Sequence, residues 1–158
     1  MTPVLETRPA QPYVSIPITA NFQEWGEVNA LVPELYAWLG DREPAGAPFY
    51  RYYVIGGMTE RFELEVGIPV RTPLPDDERV RPGAKPAGTY AVLTHEGHPD
   101  GIAETHLALV EWAAAQAVPL AKTDTRWEAL FESYLTNPDE EPDMTKWRAE
   151  LAYLVTTR

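Results

Sequence analysis

Gln11-Pro-Tyr-Val-Ser-Ile-Pro-Ile18 opens a series of elements that returns in the second half of the chain from Ala87-Gly-Thr-Tyr-Ala-Val-Leu-Thr94. Both stretches read as strands, because their apolar side chains alternate and alternation puts every second residue on one face of a sheet. Pro17 lacks an N–H, so it places the first strand at an edge or ends its pairing on that side. A helix follows each strand. Val28, Leu31, Val32, Leu35 and Leu39 recur at helical spacing, and Gly40 suits the C-terminal cap. Pro33 conflicts with a helix interior, so the helix either starts near Leu31 or kinks. The Ala-rich run from Ile102 to Ala117 predicts the second helix, which carries Trp112.

The correspondence continues. Phe49-Tyr-Arg-Tyr-Tyr53 enters a hairpin, with Gly56-Gly57 as its turn signal, and Phe131-Glu-Ser-Tyr-Leu135 answers it. Phe62-Glu-Leu-Glu65 through Val70 is answered by Trp147-Arg-Ala-Glu150 through Val155. The offset drifts from 77 residues at Tyr13 and Tyr90 to 85 at Glu65 and Glu150, as unequal loops would produce. Self-similarity sets the architecture. It predicts an α+β fold in which residues 1–158 form a single domain. Two strand–helix–strand–strand–strand modules, 11–70 and 87–155, are related by a pseudo-twofold, and the Pro-rich stretch 71–86 links them. A seam between modules is a favoured place for a small-molecule cleft.

Bulk composition narrows the function. The 158 residues are 44% hydrophobic, enough for a real core, and 11% aromatic with five Trp and eight Tyr. The aromatics either fill that core or line a pocket for a flat apolar ligand. A net charge of −11 with only 13 basic residues argues against direct nucleic-acid binding and against an anionic membrane surface. An acidic field serves solubility, and it also favours cationic ligands. There is no cysteine, hence no disulfide and no thiol nucleophile. No apolar run approaches the ~20 residues of a membrane span, and the N-terminus lacks a signal-peptide core. The cytosol is the expected compartment.

His95, His98 and His106 fall close together, but their spacing matches no standard ligand pattern, so no metal site and no cofactor are expected. They read as surface or capping histidines. Nucleotide-binding glycine runs and the Ser elbow are missing. The candidates that remain are carboxylates among aromatics. Alternation turns Glu65 and Glu150 toward water. Glu132, in Phe131-Glu-Ser-Tyr134, faces either water or a cavity, where it would bind a cation or act as an acid.

Taken together, Tyr13-Val-Ser-Ile16, Pro48-Phe-Tyr-Arg-Tyr52, Glu65-Val-Gly-Ile-Pro-Val70, Pro86-Ala-Gly-Thr-Tyr-Ala91, His95-Glu-Gly-His98, the Trp112 helix, Glu132-Ser-Tyr-Leu-Thr-Asn-Pro138 and the Trp147–Val155 strand resemble the GyrI-like small-molecule-binding domain. That domain is similar to the effector-binding domain of AraC-type and MerR-type drug-responsive activators. The resemblance covers about residues 11–155. It implies a duplication of the SHS2 type and a cleft lined by aromatics around a glutamate that attracts cationic or polycyclic ligands. Carried onto this chain, the glutamate is Glu132 with Tyr134 beside it, and Phe49, Tyr50, Tyr52, Trp112 and Trp147 form the wall. The activators carry a helix-turn-helix region for which this chain leaves no room, so a stand-alone binder of small molecules is expected. Some stand-alone relatives hydrolyse cyclopropane-containing alkylating toxins, which would make Glu132 and Tyr134 catalytic. Others are associated with gyrase inhibition, which would make gyrase a protein partner.

Overall fold

The computed structural model describes residues 2–156. The first five strands are β1 (Val4–Arg8), β2 (Gln11–Ala20), β3 (Phe49–Tyr52), β4 (Phe62–Pro69) and β5 (Arg81–Lys85). The second five are β6 (Gly88–Glu96), β7 (Lys122–Thr123), β8 (Arg126–Trp127), β9 (Leu130–Tyr134) and β10 (Arg148–Leu154). Helices α1 (Trp25–Asn29) and α2 (Leu31–Leu39) lie between β2 and β3, and α3 (Ile102–Ala115) lies between β6 and β7. Eight strands form one sheet in the order β1-β6-β10-β9-β3-β4-β2-β5, all pairs antiparallel, while β7 and β8 make a separate ribbon. The order is symmetric about the central β3–β9 pair. The fold is α+β, as the alternating and helical periodicities predict.

Two details of the expected modules are corrected. To the eight-stranded sheet each half contributes a strand, a helical segment and two further strands. Each half is also preceded by a short strand that pairs with the other half: β1 with β6, and β5 with β2. The stretch 71–86 is therefore more than a linker, since it contains β5. That strand, Arg81-Pro-Gly-Ala-Lys85, has no alternating apolar residues. It is held by pairing with Gln11–Ser15 on β2.

The helices pack on one face of the sheet. Leu31, Leu35 and Leu39 bury one stripe of α2. Pro33 falls in the first turn of α2, where a missing N–H costs nothing. Gly40 takes a positive φ of 59° and donates its N–H to the Tyr36 carbonyl, closing the helix. On the sheet, Val14, Ile16, Leu64, Val66, Ile68, Leu93 and Leu151 meet Leu35 and Leu109 in the main core.

The opposite face is buried as well. Tyr13, Phe49, Tyr90 and Phe131 form a second cluster there with Val92, Ala152 and Leu154. This overturns the expectation that Glu65 and Glu150 face water. Glu65 accepts hydrogen bonds from the hydroxyls of Tyr13 (3.1 Å), Ser15 (3.1 Å) and Tyr53 (2.5 Å). Glu150 accepts two from Arg8 at 2.8 and 3.1 Å. Alternation does turn them away from the main core, but onto an aromatic face rather than into solvent. Among the described residues no helix is long and apolar enough to cross a membrane.

Gly67 makes the second cluster possible. A Cβ there would lie 2.5 Å from the Phe49 ring. Gly67→Ala should therefore destabilise the protein by about 1–3 kcal/mol, as overpacking does elsewhere. Gly57→Ala, with open space around its Cβ, should change stability by less than ~0.5 kcal/mol. Urea unfolding midpoints of the two variants provide the comparison; equal midpoints would disprove the close-packing role.

Candidate functional site

The central pairing of β3 with β9 sets Tyr50 opposite Glu132. With a side-chain period of two, Tyr50 and Tyr52 on β3 share a face with Glu132 and Tyr134 on β9. These four form the floor of a cleft of about 1840 Å³. Trp25, Val32 and Tyr36 of α1 and α2 line one wall. Ile102, His106 and Val110, each four residues apart on α3, line the other. Trp127, Trp147 and Tyr153 complete it. Typical drug-sized ligands occupy pockets of roughly 300–1,000 Å³, so the space is ample.

Glu132 is only 5% exposed. Tyr134 donates a hydrogen bond to its Oε1, and the Tyr52 hydroxyl stands 3.5 Å from the same oxygen. His106 Nε2 lies 2.7 Å from Oε2, and His106 Nδ1 lies 2.6 Å from the Tyr153 hydroxyl. A neutral imidazole with its hydrogen on Nε2 satisfies every member: Tyr153 donates to Nδ1, and Nε2 donates to Glu132. Tyr50 in turn donates to Asn29 Oδ1.

Burial pushes the Tyr52 and Tyr134 hydroxyls well above the usual tyrosine range, and the Glu132 carboxylate raises them further. Tyr50 and Tyr153 are raised for the same two reasons. All four remain protonated donors around the carboxylate. The aromatic surfaces are large: Trp25 lies nearly parallel to Tyr52 at 6.3 Å, and Tyr50 meets Tyr134 edge-on at 4.8 Å. Among the described residues no Lys or Arg pairs with Glu132; the ring nitrogen it meets is His106 Nε2. The site thus offers a buried acceptor ringed by π faces, which suits a cation or a hydrogen-bond donor.

Of the residues singled out from sequence, Glu132, Tyr134, Tyr50, Tyr52 and Trp147 line the cleft. Phe49 does not: one residue from Tyr50, it points to the other face and packs edge-on against Tyr13 at 4.9 Å. Trp112 also lies outside the lining. It is six residues beyond His106, on a different side of α3, where it packs against the main core. His106 is neither a surface nor a capping residue, because it holds Glu132. Its place on the stripe with Ile102 and Val110 is the signal that would have revealed it. Trp25, Trp127 and Tyr153 were likewise not anticipated. His95, by contrast, bonds Thr105 and the His98 carbonyl, and His98 caps a short turn. The three histidines do not converge, and no group of three metal-ligating side chains occurs among the described residues.

The model of the GyrI-like small molecule binding domain matches residues 1–152. The chain belongs to the GyrI-like family. No curated protein matches it in sequence. Its fold is that of the EcmrR C-terminal domain, with a TM-score of 0.82 at 16% identity over 99% of this chain and 98% of that one. In the EcmrR–DNA complex this chain spans 58% of the EcmrR chain. SAV2435, in a structure bound to tetraphenylphosphonium, gives a TM-score of 0.70 at 12% identity, covering 99% and 95% of the two chains. A hydrolase from Listeria innocua gives 0.62 at 12% identity, covering 98% and 92%. At these identities the likeness is one of fold.

The tyrosine environment of this GyrI-like domain predicts its alkaline behaviour. An unfolded tyrosine ionises near ~10, whereas burial pushes Tyr13 and Tyr90 up to about 12 and the cleft tyrosines are raised too. The folded state therefore keeps protons that the unfolded state loses, so stability is full below pH ~10 and declines as pH climbs toward ~12. Beyond the signal of the exposed Tyr36, tyrosinate absorbance should appear together with loss of tertiary structure. Free ionisation of the buried tyrosines near pH ~10 in a folded protein would refute the assignment.

Proposed function

We propose that this protein binds apolar, cationic, aromatic small molecules in the cleft, to sense or to sequester them. The observation that carries the reading is Glu132: a carboxylate 5% exposed, on a floor of aromatic rings, with no Lys or Arg partner among the described residues. A buried charge left without a countercharge is costly. A ligand cation would supply that countercharge while its rings stack on Trp25, Tyr50 and Tyr52. His106, Tyr134 and Tyr52 would hold the carboxylate in place, so little ordering remains to be done on binding. The tetraphenylphosphonium complex of SAV2435 supports the same ligand chemistry.

A second reading rests on a different observation. Glu132 has a phenol on one oxygen and an imidazole on the other, an arrangement suited to moving a proton. Hydrolases from Listeria innocua share the fold. In this reading Glu132 takes a proton from water attacking a strained, reactive substrate such as a cyclopropanoid, and the Tyr134 hydroxyl assists. Product carrying one added water, formed by wild type and abolished in Glu132→Gln, would establish it. Unchanged ligand recovered from the protein would leave binding alone.

Trp25, Trp127 and Trp147 line the cleft, so intrinsic fluorescence reports on binding. Glu132→Gln should weaken a cationic polycyclic ligand by about 2 kcal/mol or more, roughly thirty-fold. A neutral ligand of the same ring system should lose less than about three-fold. Equal losses for the two ligands would remove the electrostatic role from Glu132.

A further inference from the structure

The walls of the cleft stay apolar where they reach water. On α3 the side chains grade outward: Leu109 is fully buried in the core, Val110 is half-buried in the cleft, and Leu107 is 58% exposed at its edge. Across the cleft α2 repeats the grading, from Leu35 in the core through Val32 to the exposed Tyr36. Ile55, just beyond β3, and Leu135, just beyond β9, are exposed and line the same cleft. The other exposed large hydrophobics among the described residues are Met58 and, on β1, Val4 and Leu5. Single exposed apolar residues need no account, but several gathered around one opening mark an interaction site.

Charge and volume say what would cover this rim. The cleft measures about 1840 Å³, beyond the roughly 300–1,000 Å³ of pockets for compact ligands. A polycyclic cation seated at Glu132 would leave much of it unfilled. Besides Glu132, the exposed carboxylates of Glu60, Asp100 and Asp139 line the cleft. Its two bases have neighbours of their own: Lys122 lies over the Trp127 ring at 4.4 Å, and Arg148 stands 3.8 Å from Glu96. Such a lining attracts cations and disfavours fatty carboxylates.

We propose that the cleft takes amphiphilic onium cations, with a quaternary phosphonium or ammonium head at Glu132 and a linear aliphatic tail along the rim of Tyr36, Ile55, Leu107 and Leu135. This rests on the cation reading of Glu132 and adds a tail site to it. An onium head has no N–H to satisfy. That suits a carboxylate whose oxygens already face Tyr134, Tyr52 and His106, because the head asks of it only charge. A flexible chain needs no directional contacts, which is what side chains from four separate segments offer. A fully buried methylene is worth roughly four-fold in affinity, so one lying half-buried along the rim contributes about two-fold.

The test is calorimetric titration of the wild-type protein with alkyltriphenylphosphonium ions bearing methyl, butyl, hexyl or decyl chains, all kept monomeric. Affinity should rise about two-fold per methylene along the rim, which puts decyl at least ~ten-fold above butyl. Tyr36→Ser/Leu107→Ser should lower that decyl-to-butyl ratio by about five-fold or more. Val4→Ser/Leu5→Ser, which removes exposed apolar surface from the β1 edge instead, should keep the wild-type ratio. Glu132→Gln should weaken every member by a common factor. A wild-type ratio near one, or a ratio that Tyr36→Ser/Leu107→Ser leaves intact, would overturn the tail site while the head reading stands. A series indifferent to Glu132→Gln would remove the head reading and the proposal with it. A wild-type dimer that Tyr36→Ser/Leu107→Ser dissociates, with no dependence on tail length, would assign the rim to a second copy of the chain and overturn the proposal as well.

Discussion

The backbone pairing of β3 with β9 joins the two halves, and side-chain alternation makes that single junction serve both faces of the sheet. On one face it brings Tyr50 and Tyr52 alongside Glu132 and Tyr134, where no local sequence separation could. On the other it packs Phe49 on Phe131, with Gly67 making room for the Phe49 ring. A register slip of one residue would exchange these sets, placing phenylalanine in the cleft and the glutamate against the second cluster. Both faces are buried, so both resist such a slip. The junction therefore fixes which side chains form the site, and the His106 contact from α3 adds a third element to a carboxylate already held by its own strand.

The two faces treat charge in opposite ways. Behind the sheet Glu150 and Glu65 both have partners: Arg8 takes the first, and three hydroxyls take the second. Cations there lie over rings, as Arg51 does over Tyr53 at 5.1 Å. In front, the buried Glu132 carboxylate is surrounded by neutral donors and one imidazole. Hydrogen bonds from neutral groups steady an anion without cancelling its charge, so the front face keeps a field that the back face has balanced internally. With a net charge of −11 over the whole chain, the cleft adds local focus to a general attraction for positive ligands.

Much of this was legible in the residues. The alternation of Phe62, Leu64, Val66 and Ile68 marks β4, and the Leu31–Leu35–Leu39 stripe with Pro33 and Gly40 marks α2 and its ends. Glu132 and Tyr134 stood out because a glutamate between aromatics is unusual in a strand. The face of each strand was harder to read. Phe49 and Tyr50 are both buried, so hydrophobicity alone cannot say which meets the cleft. Strand β5 left no apolar trace, because pairing with β2 rather than side-chain burial holds most of it. Trp112 was misplaced because a large aromatic on a helix fits a core as well as a pocket. His106 was passed over because one polar residue on an apolar helix stripe gains its meaning only from Glu132, 26 positions away.

The exchanged outer strands have a consequence for how the chain reaches this state. Arg8 pairs with Gly88, and Gln11 with Lys85, so neither half closes its edge from its own contiguous sequence. Each such contact must await closure of a long loop, and topologies rich in non-local pairs fold slowly. During synthesis β1, with Val4 and Leu5 more than half exposed even in the finished fold, has no partner until β6 has emerged. For that interval it is an unpaired strand edge, the kind of surface that invites association with other chains. The interlock that unites the halves thus ties the safety of the nascent β1 strand to the speed at which β6 arrives.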